Sequence, residues 1–167
     1  MVYFISDLHF FHKNILLYED RPFDTIESMN KTIMDNWNKT VNKSDKVFVL
    51  GDVALPLRKK VAINLIPRLH GNKVLIMGNH DKGHSIKWWI DVGFKEVSRY
   101  PILYAKYFLL SHEPLYMNKH MPYVNIHGHI HSRKLEGNKH FNVSVEHINY
   151  TPISFTEIQN RIKKEEF

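Results

Sequence analysis

The chain has 167 residues, of which 43% are hydrophobic and 13% aromatic, and this is enough to build the core of a single domain spanning residues 1–167. It contains no cysteine, which excludes disulfides, thiolate metal sites and iron–sulfur clusters. The formal charge of +6 would favour a polyanionic substrate, although the 23 lysines and arginines are spread along the chain.

The start of the chain bears on its location in the cell. The first residues pass directly into an apolar, strand-like segment, Val2–Ser6, without a basic leader or an apolar stretch of signal length. No segment has the roughly 18 consecutive apolar residues needed to cross a bilayer. We therefore predict a cytoplasmic protein that makes no membrane contact.

Short apolar runs rich in β-branched and aromatic residues predict buried strands. These strands are Val2–Ser6, Val47–Leu50, Val74–Met77, Tyr107–Ser111, Val124–His127 and Phe141–Val145. Helical periodicity predicts helices over Thr25–Lys39, Leu57–Leu69 and Ser154–Lys164. Strands and helices alternate in the first half, and strands dominate after about Gly93, so the order of elements favours a layered α/β fold.

Acidic, amide and imidazole side chains follow the first five predicted strands, at the point where each strand ends. They are Asp7 and His9, Asp52, Asn79 with His80 and Asp81, His112, and His129 with His131. Ligands of layered α/β proteins bind beyond the carboxyl ends of strands, so we expect these side chains to share one site. Adjacent glycines, such as Gly51 and Gly78, would permit sharp turns there.

The number of candidate ligands indicates how many metal ions the site would hold. Seven of them are suitable, namely Asp7, His9, Asp52, Asn79, His112, His129 and His131. A single transition metal that keeps a water ligand needs fewer, whereas two metals sharing one carboxylate would use all seven. Two metals roughly 3.5–4 Å apart can activate a water and hold a phosphoryl group for in-line displacement.

The ordered series Asp-x-His, Gly-Asp, Gly-Asn-His-Asp, His and Gly-His-x-His, from Asp7 to His131, resembles the calcineurin-like metallophosphoesterases. The segment Asp7–Asn14 further resembles a compact bacterial and phage branch of that family. The resemblance implies a four-layer αββα sandwich with two mixed β-sheets. It also implies a metal-dependent phosphoesterase, most simply a phosphodiesterase that hydrolyses a nucleotide-like or small phosphate ester through a hydroxide bridging two metals.

The resemblance further implies a role for each motif residue. One metal would be bound by Asp7, His9 and His131, the other by Asn79, His112 and His129, with Asp52 bridging the two. His80 would act as a general acid or charge stabiliser near the phosphate, and Asp81 would hold its other ring nitrogen. Both are predicted catalytic residues. We predict two divalent transition metals, manganese first, with iron, zinc, nickel or cobalt also compatible with nitrogen and oxygen ligands.

Further polar residues could contact the substrate. We predict such contacts for His12, Asn14 and Arg21. For His12 a surface position on the next helical turn is an equal alternative.

Two other functions are alternatives to the phosphodiesterase. A nuclease would use the same metal pair on DNA or RNA, and the positive charge would help, but nothing resembling an added DNA-binding domain is visible. A catalytically inert scaffold for protein partners would be expected to have damaged ligand positions, and this sequence keeps all of them. The sequence does not determine the oligomeric state.

Overall fold

A computed structural model of the chain describes residues 1–55 and 58–164. The strands are β1 (Val2–Ile5), β2 (Lys46–Val49), β3 (Asn72–Ile76), β4 (Glu96–Ser98), β5 (Ile102–Tyr104), β6 (Phe108–Leu110), β7 (Val124–His127), β8 (His140–Asn142) and β9 (Ile153–Ser154). The helices are α1 (Ile15–Tyr18), α2 (Ile26–Thr40), α3 (Lys59–Leu65), α4 (Ile86–Asp91) and α5 (Phe155–Lys164). Short 3₁₀ turns cover Ile66–Arg68 and Asp81–Gly83.

The strands form two mixed sheets, which confirms the predicted α/β class. The first sheet has the order β4-β3-β2-β1-β9, and only β9 is antiparallel to its neighbour. The second has the order β5-β6-β7-β8, with β5 antiparallel to β6 and the other pairs parallel. Parallel pairs place the carboxyl ends of their strands at one edge, so each sheet has one edge from which several loops emerge.

Aromatic contacts and a backbone bridge join the two sheets. The ring of Tyr104 in β5 packs against Phe4 and Phe48 of the first sheet, with ring centroids 5.9 and 5.2 Å apart. Just beyond β1, Ser6 forms a parallel bridge with Ser144, which follows β8. The carboxyl edges of the two sheets are thereby held next to each other.

The longest helix, α2, shows how local sequence signals fix an element. Thr25 and Ser28 form a reciprocal capping box at its start, which satisfies backbone amides that otherwise lack partners. Met29, Ile33 and Trp37 recur every four residues on one face and are fully buried. The predicted helix Thr25–Lys39 is therefore confirmed to within one residue at each end.

The other predicted elements overlap observed ones, whereas five short elements were not predicted. Each of the six predicted strands overlaps an observed strand, although the last ends at Asn142 instead of Val145. The helix predicted over Leu57–Leu69 is observed as α3 followed by a 3₁₀ turn, and its first residue, Leu57, lies outside the described residues. The prediction did not include α1, α4, β4, β5 or β9.

Within residues 1–55 and 58–164, no helix is long and apolar enough to cross a membrane.

Candidate metal centre

The parallel register of the two sheets brings the predicted ligands together. Ile5, Val49 and Leu75 are aligned in neighbouring strands, so the loops carrying Asp7, Asp52 and Asn79 leave the first sheet side by side. In the second sheet Leu110 is paired with Ile126, which places His112 beside the loop containing His129 and His131. The structure thus places all seven predicted ligands at the adjoining carboxyl edges.

Five of these seven residues have a left-handed backbone. Their φ angles lie between 49° and 70°, and they are Asp7, His9, Asp52, His129 and His131. This conformation costs a non-glycine residue on the order of 1–3 kcal/mol, and it persists where the surrounding structure enforces it, typically at functional sites. Asp7 and His9, which are two residues apart and both have this conformation, offer ligand atoms within 4.8 Å of each other.

Glycines next to the ligands allow the loops to approach each other closely. A Cβ atom on Gly78 would collide with the carboxylate of Asp52, and one on Gly128 with Ser6 and the carboxylate of Asp7. The side chain of His112 likewise occupies the space that a Cβ on Gly51 would need. The glycines are therefore required for packing of the ligand side chains against neighbouring backbone.

The first ligand group consists of Asp7, His9 and His131. Each offers one atom to a cluster in which all ligand atoms lie within 4.8 Å of one another. Asp7 Oδ1 and His9 Nε2 are buried, and neither has a hydrogen-bond partner in the part of the chain that the structure describes. Buried polar atoms without partners are costly, and a bound cation would satisfy both.

The second group consists of Asn79, His112 and His129. His112 Nε2 lies 3.0 Å from Asn79 Oδ1 and 3.1 Å from His129 Nδ1. On the other side of the ring, His112 Nδ1 donates a hydrogen bond of 2.7 Å to the carbonyl of Leu50. This bond fixes the tautomer and leaves the lone pair of Nε2 directed into the site, as in many metal-binding histidines.

Asp52 lies between the two groups. Its Oδ2 atom is 3.5 Å from His9 Nε2 and 3.5 Å from His112 Nε2, while Oδ1 accepts a hydrogen bond from the His80 backbone amide. Burial, together with the nearby carboxylates of Asp7 and Asp81, raises the pKa of Asp52 to about 6, although His112 opposes the shift. Bound cations would compensate this concentration of buried negative charge.

A buried ion-pair network supports the first group. His131 Nδ1 lies 3.1 Å from Glu146 Oε1, and the same oxygen accepts hydrogen bonds of 2.9 and 2.7 Å from the guanidinium of Arg21. Arg21 also donates to the carbonyls of Asp7 and Leu8. Burial opposes the shift, but the carboxylates of Glu146 and Asp7 raise the pKa of His131 above its ordinary value. Its Nε2 atom lies 3.9 Å from Asp7 Oδ1.

This network corrects one prediction and adds one residue. The prediction that Arg21 contacts substrate is wrong, because its side chain is fully buried and its donors are used inside the protein. Glu146 was missed, since it belongs to no motif block. The sequence indicates this residue only indirectly. A metal-binding histidine needs a hydrogen-bond acceptor for its second ring nitrogen, and that acceptor must come from somewhere in the chain.

The role predicted for Asp81 is also wrong. Its Oδ2 atom accepts the backbone amides of Asp52 and Gly78, both at 2.8 Å, and its Oδ1 atom accepts that of Val53 at 3.1 Å. Both oxygens therefore hold loop backbone, and the His80 ring is not their partner among the described residues. Burial raises the pKa of Asp81, while these amide hydrogen bonds oppose the rise. Asp81 thus positions the bridging carboxylate and the Gly78 turn.

The remaining predicted residues lie at the mouth of the site. The His80 side chain is 36% exposed, with Nε2 at 3.9 Å from Asp52 Oδ2, and it also belongs to a ligand-sized cluster with His9 and Asp52. His12 Nδ1 is 3.2 Å from His9 Nδ1, and its ring lies 6.1 Å from that of His80. Asn14 is exposed and contacts Tyr18. Substrate contact by His12 and Asn14 stays a prediction.

These features define a calcineurin-like phosphoesterase, and the family model of that description matches residues 1–165. The chain belongs to this family.

The chain is 41% identical to the uncharacterized protein MJ1445 of Methanocaldococcus jannaschii, in an alignment covering 98% of this chain and 92% of that protein. The Gene 66 protein of Mycobacterium phage L5 is 36% identical over 49% of this chain and 40% of its own length. The crystal structure of AQ665 from Aquifex aeolicus, titled a protein of unknown function, superposes with a TM-score of 0.74. It is 28% identical and is aligned over 96% of this chain and 98% of its own.

Replacing Glu146 with glutamine tests the support of the first ligand group. The amide keeps an acceptor oxygen for His131 and Arg21 but removes the negative charge, so we expect metal affinity to fall about 10- to 100-fold. Calorimetric titration of the chelator-stripped protein with Mn²⁺ measures the change. Glu157→Gln is the matched control, because Glu157 forms an exposed pair with Arg161 on α5. Equal affinities of the two variants would show that Glu146 does not support the site.

Proposed function

We propose that the protein is a dinuclear metal-dependent phosphodiesterase that hydrolyses a small, nucleotide-like phosphate ester. The observation that carries the proposal is the position of Asp52 Oδ2, which lies 3.5 Å from a ring nitrogen in each of the two ligand groups. One carboxylate oxygen equally distant from two sets of ligands is what a bridged metal pair requires.

The same geometry supports the ligand assignment that the family resemblance implies. Asp7, His9 and His131 would hold one metal, and Asn79, His112 and His129 the other, with Asp52 shared. The residues fit this role because Asp7 Oδ1 and His9 Nε2 are buried without partners, and His112 is held with one ring nitrogen directed inward. The mixed imidazole, carboxylate and amide set suits manganese, our proposed metal, as well as iron, zinc, nickel and cobalt.

Two divalent cations bound there would supply an activated water and would neutralise charge on the phosphoryl oxygens. The protein itself orients the ligands. The Asp81 carboxylate holds the backbone of Asp52 and Gly78, and the Glu146 carboxylate holds the ring of His131. This arrangement keeps the ligands in place before substrate arrives, which limits reorganisation during the reaction.

His80 would supply the proton for the departing alkoxide or phenoxide oxygen. Its ring is the most exposed of those around Asp52, and its backbone amide is fixed by Asp52 Oδ1 at 3.0 Å. A partly exposed imidazole beside the reaction centre can be reprotonated from solvent after each turnover. His80 therefore suits general acid catalysis better than permanent metal ligation.

Hydrolysis of two chromogenic esters tests the proposal. Chelator-stripped protein would be assayed on bis(p-nitrophenyl) phosphate and p-nitrophenyl phosphate, before and after Mn²⁺ is added back, with bound metal measured in parallel. We expect turnover only with metal, about two ions per chain, and preference for the diester. Preference for the monoester would overturn the diesterase assignment, and protein that binds no metal and turns over neither ester would overturn the catalytic one.

A further inference from the structure

A cleft of about 170 Å³ opens directly beside the second ligand group. His112 belongs both to that group and to the wall of the cleft. The other polar or aromatic side chains of the wall are Lys82, Arg99, Tyr100, Ser111 and Glu113. We call this space the His112 cleft. A phosphate held at the metal centre would have one of its ester groups next to it.

Part of the wall of the cleft is formed by the turn that follows β4. Strand β4 is parallel to β3, with Ser98 paired to Ile76, so this turn leaves the sheet at the same edge as the metal ligands. The Met77 amide donates to the carbonyl of Ser98, which ties the turn to the segment before Asn79. This hydrogen bond therefore fixes the position of the turn relative to the metal centre.

Tyr100 is the aromatic residue of this turn. Its backbone is held by Ser98, whose hydroxyl donates to the Tyr100 carbonyl at 2.8 Å and accepts the Tyr100 amide at 3.0 Å. The residue is nevertheless 75% exposed. An aromatic ring on a fixed backbone, exposed at the edge of a cleft, is the platform on which nucleobases stack.

The charge of the cleft is suited to a second anion. Lys82 and Arg99 are exposed, and neither forms an ion pair within residues 1–55 and 58–164. Among the wall residues, Glu113 carries the opposing negative charge, which leaves an excess of positive charge. Arginine and lysine are the usual donors to phosphate oxygens.

We propose that the His112 cleft binds a nucleoside that carries a further phosphate, with the base stacked on Tyr100 and the phosphate bound by Lys82 and Arg99. This inference rests on the proposed function and narrows its substrate class. The substrate is then a phosphodiester in which the group esterified at the metal centre is a phosphorylated nucleoside, as within a short oligonucleotide.

Three diesters with the same p-nitrophenolate leaving group separate the contributions. They are methyl p-nitrophenyl phosphate, the p-nitrophenyl ester of thymidine 5′-phosphate, and that ester with an added 3′-phosphate. We expect kcat/KM of the Mn²⁺-loaded protein to rise about tenfold with the base and about tenfold again with the second phosphate, mainly through KM.

Variants assign each step to its residues. Tyr100→Ala should remove the gain from the base, and the double variant Lys82→Ala/Arg99→Ala should remove the gain from the second phosphate. Hydrolysis of methyl p-nitrophenyl phosphate should change less than about twofold in both, since its methyl group cannot stack on an aromatic ring and it carries no second phosphate. Tyr107→Ala and Lys43→Ala are matched controls, because both residues are exposed and lie outside the cleft.

The outcomes distinguish this inference from the proposed function. Metal-dependent hydrolysis with equal kcat/KM for all three esters, or a preference that survives both variants, would overturn the cleft assignment and leave the phosphodiesterase standing. If no ester is hydrolysed, calorimetric titration with thymidine 3′,5′-bisphosphate tests ligand binding in the cleft independently of catalysis. Binding that Tyr100→Ala and Lys82→Ala/Arg99→Ala weaken supports the cleft, and the absence of binding or equal binding by all variants overturns it.

Discussion

An Asp52→Asn variant will lose both metals at once and, with them, about 10³-fold or more of the proposed phosphodiesterase activity. The Oδ2 atom of Asp52 is 3.5 Å from ring nitrogens of His9 and of His112, so each ligand group depends on it. Asparagine keeps the shape but removes the charge that two adjacent cations need. Several kcal/mol of transition-state stabilisation by metals corresponds to a loss of this size.

Metal content measured after desalting, together with kcat/KM on bis(p-nitrophenyl) phosphate, tests this expectation. Asp35→Asn is the matched control, because Asp35 forms an exposed pair with Lys31 on α2. Asn79→Ala provides a second comparison, since Asn79 Oδ1 lies 3.0 Å from His112 Nε2 in the second ligand group, and the variant should weaken one metal site. An Asp52→Asn protein that retains one metal at native affinity would disprove the bridging role.

A His80→Ala variant will show the opposite combination, with metal content preserved and kcat lowered about 10²- to 10⁴-fold, the usual contribution of a general acid. The ring comes no closer to Asp52 Oδ2 than 3.9 Å and is 36% exposed, so its removal leaves the buried ligand atoms in place. The loss should be smaller for diesters with good leaving groups, such as p-nitrophenolate, than for alkyl esters, because a good leaving group needs less protonation.

Comparing esters of rising leaving-group pKa in native and His80→Ala protein measures this dependence. His120→Ala is the control, because His120 is exposed and belongs to none of the ligand motifs. Loss of one metal from His80→Ala, but not from His120→Ala, would instead assign His80 to the ligand cluster that it forms with His9 and Asp52.

The ligands could be predicted from sequence because each motif follows a strand that is itself readable. Buried parallel strands appear as short apolar runs, and parallel pairing brings their carboxyl ends to one edge. Asp7, Asp52 and Asn79 therefore needed no knowledge of tertiary contacts to be grouped. The family resemblance adds the order of the motifs and the role of each residue.

The supporting residues could not be predicted in the same way. Arg21 and Glu146 are 125 positions apart, and their pairing depends on how a loop after α1 meets the segment after β8. Asp81 follows His80 directly, yet the chain enters a 3₁₀ turn there and the carboxylate turns inward to the Asp52 and Gly78 amides. The prediction paired Asp81 with its sequence neighbour His80, and this was the wrong partner because the backbone geometry sets the direction of the Asp81 side chain.

The missed elements are the short ones. Helix α4 has six residues and α1 has four, too few to show a helical period, and β9 has two. The turn after β4, which carries Tyr100, belongs to this group. The sequence therefore predicts the candidate ligands but not the short elements that surround them.

The division of the ligands between the two sheets has a consequence for the lifetime of the protein. Asp7, Asp52 and Asn79 come from the first sheet, whereas His112 and His131 come from the second. Cations bound across this junction would hold the two sheets together, and they would have to dissociate before the sheets could separate. Because a ligand that binds only the folded state stabilises it in proportion to the logarithm of its concentration, metal supply would set resistance to proteolysis as well as catalytic rate.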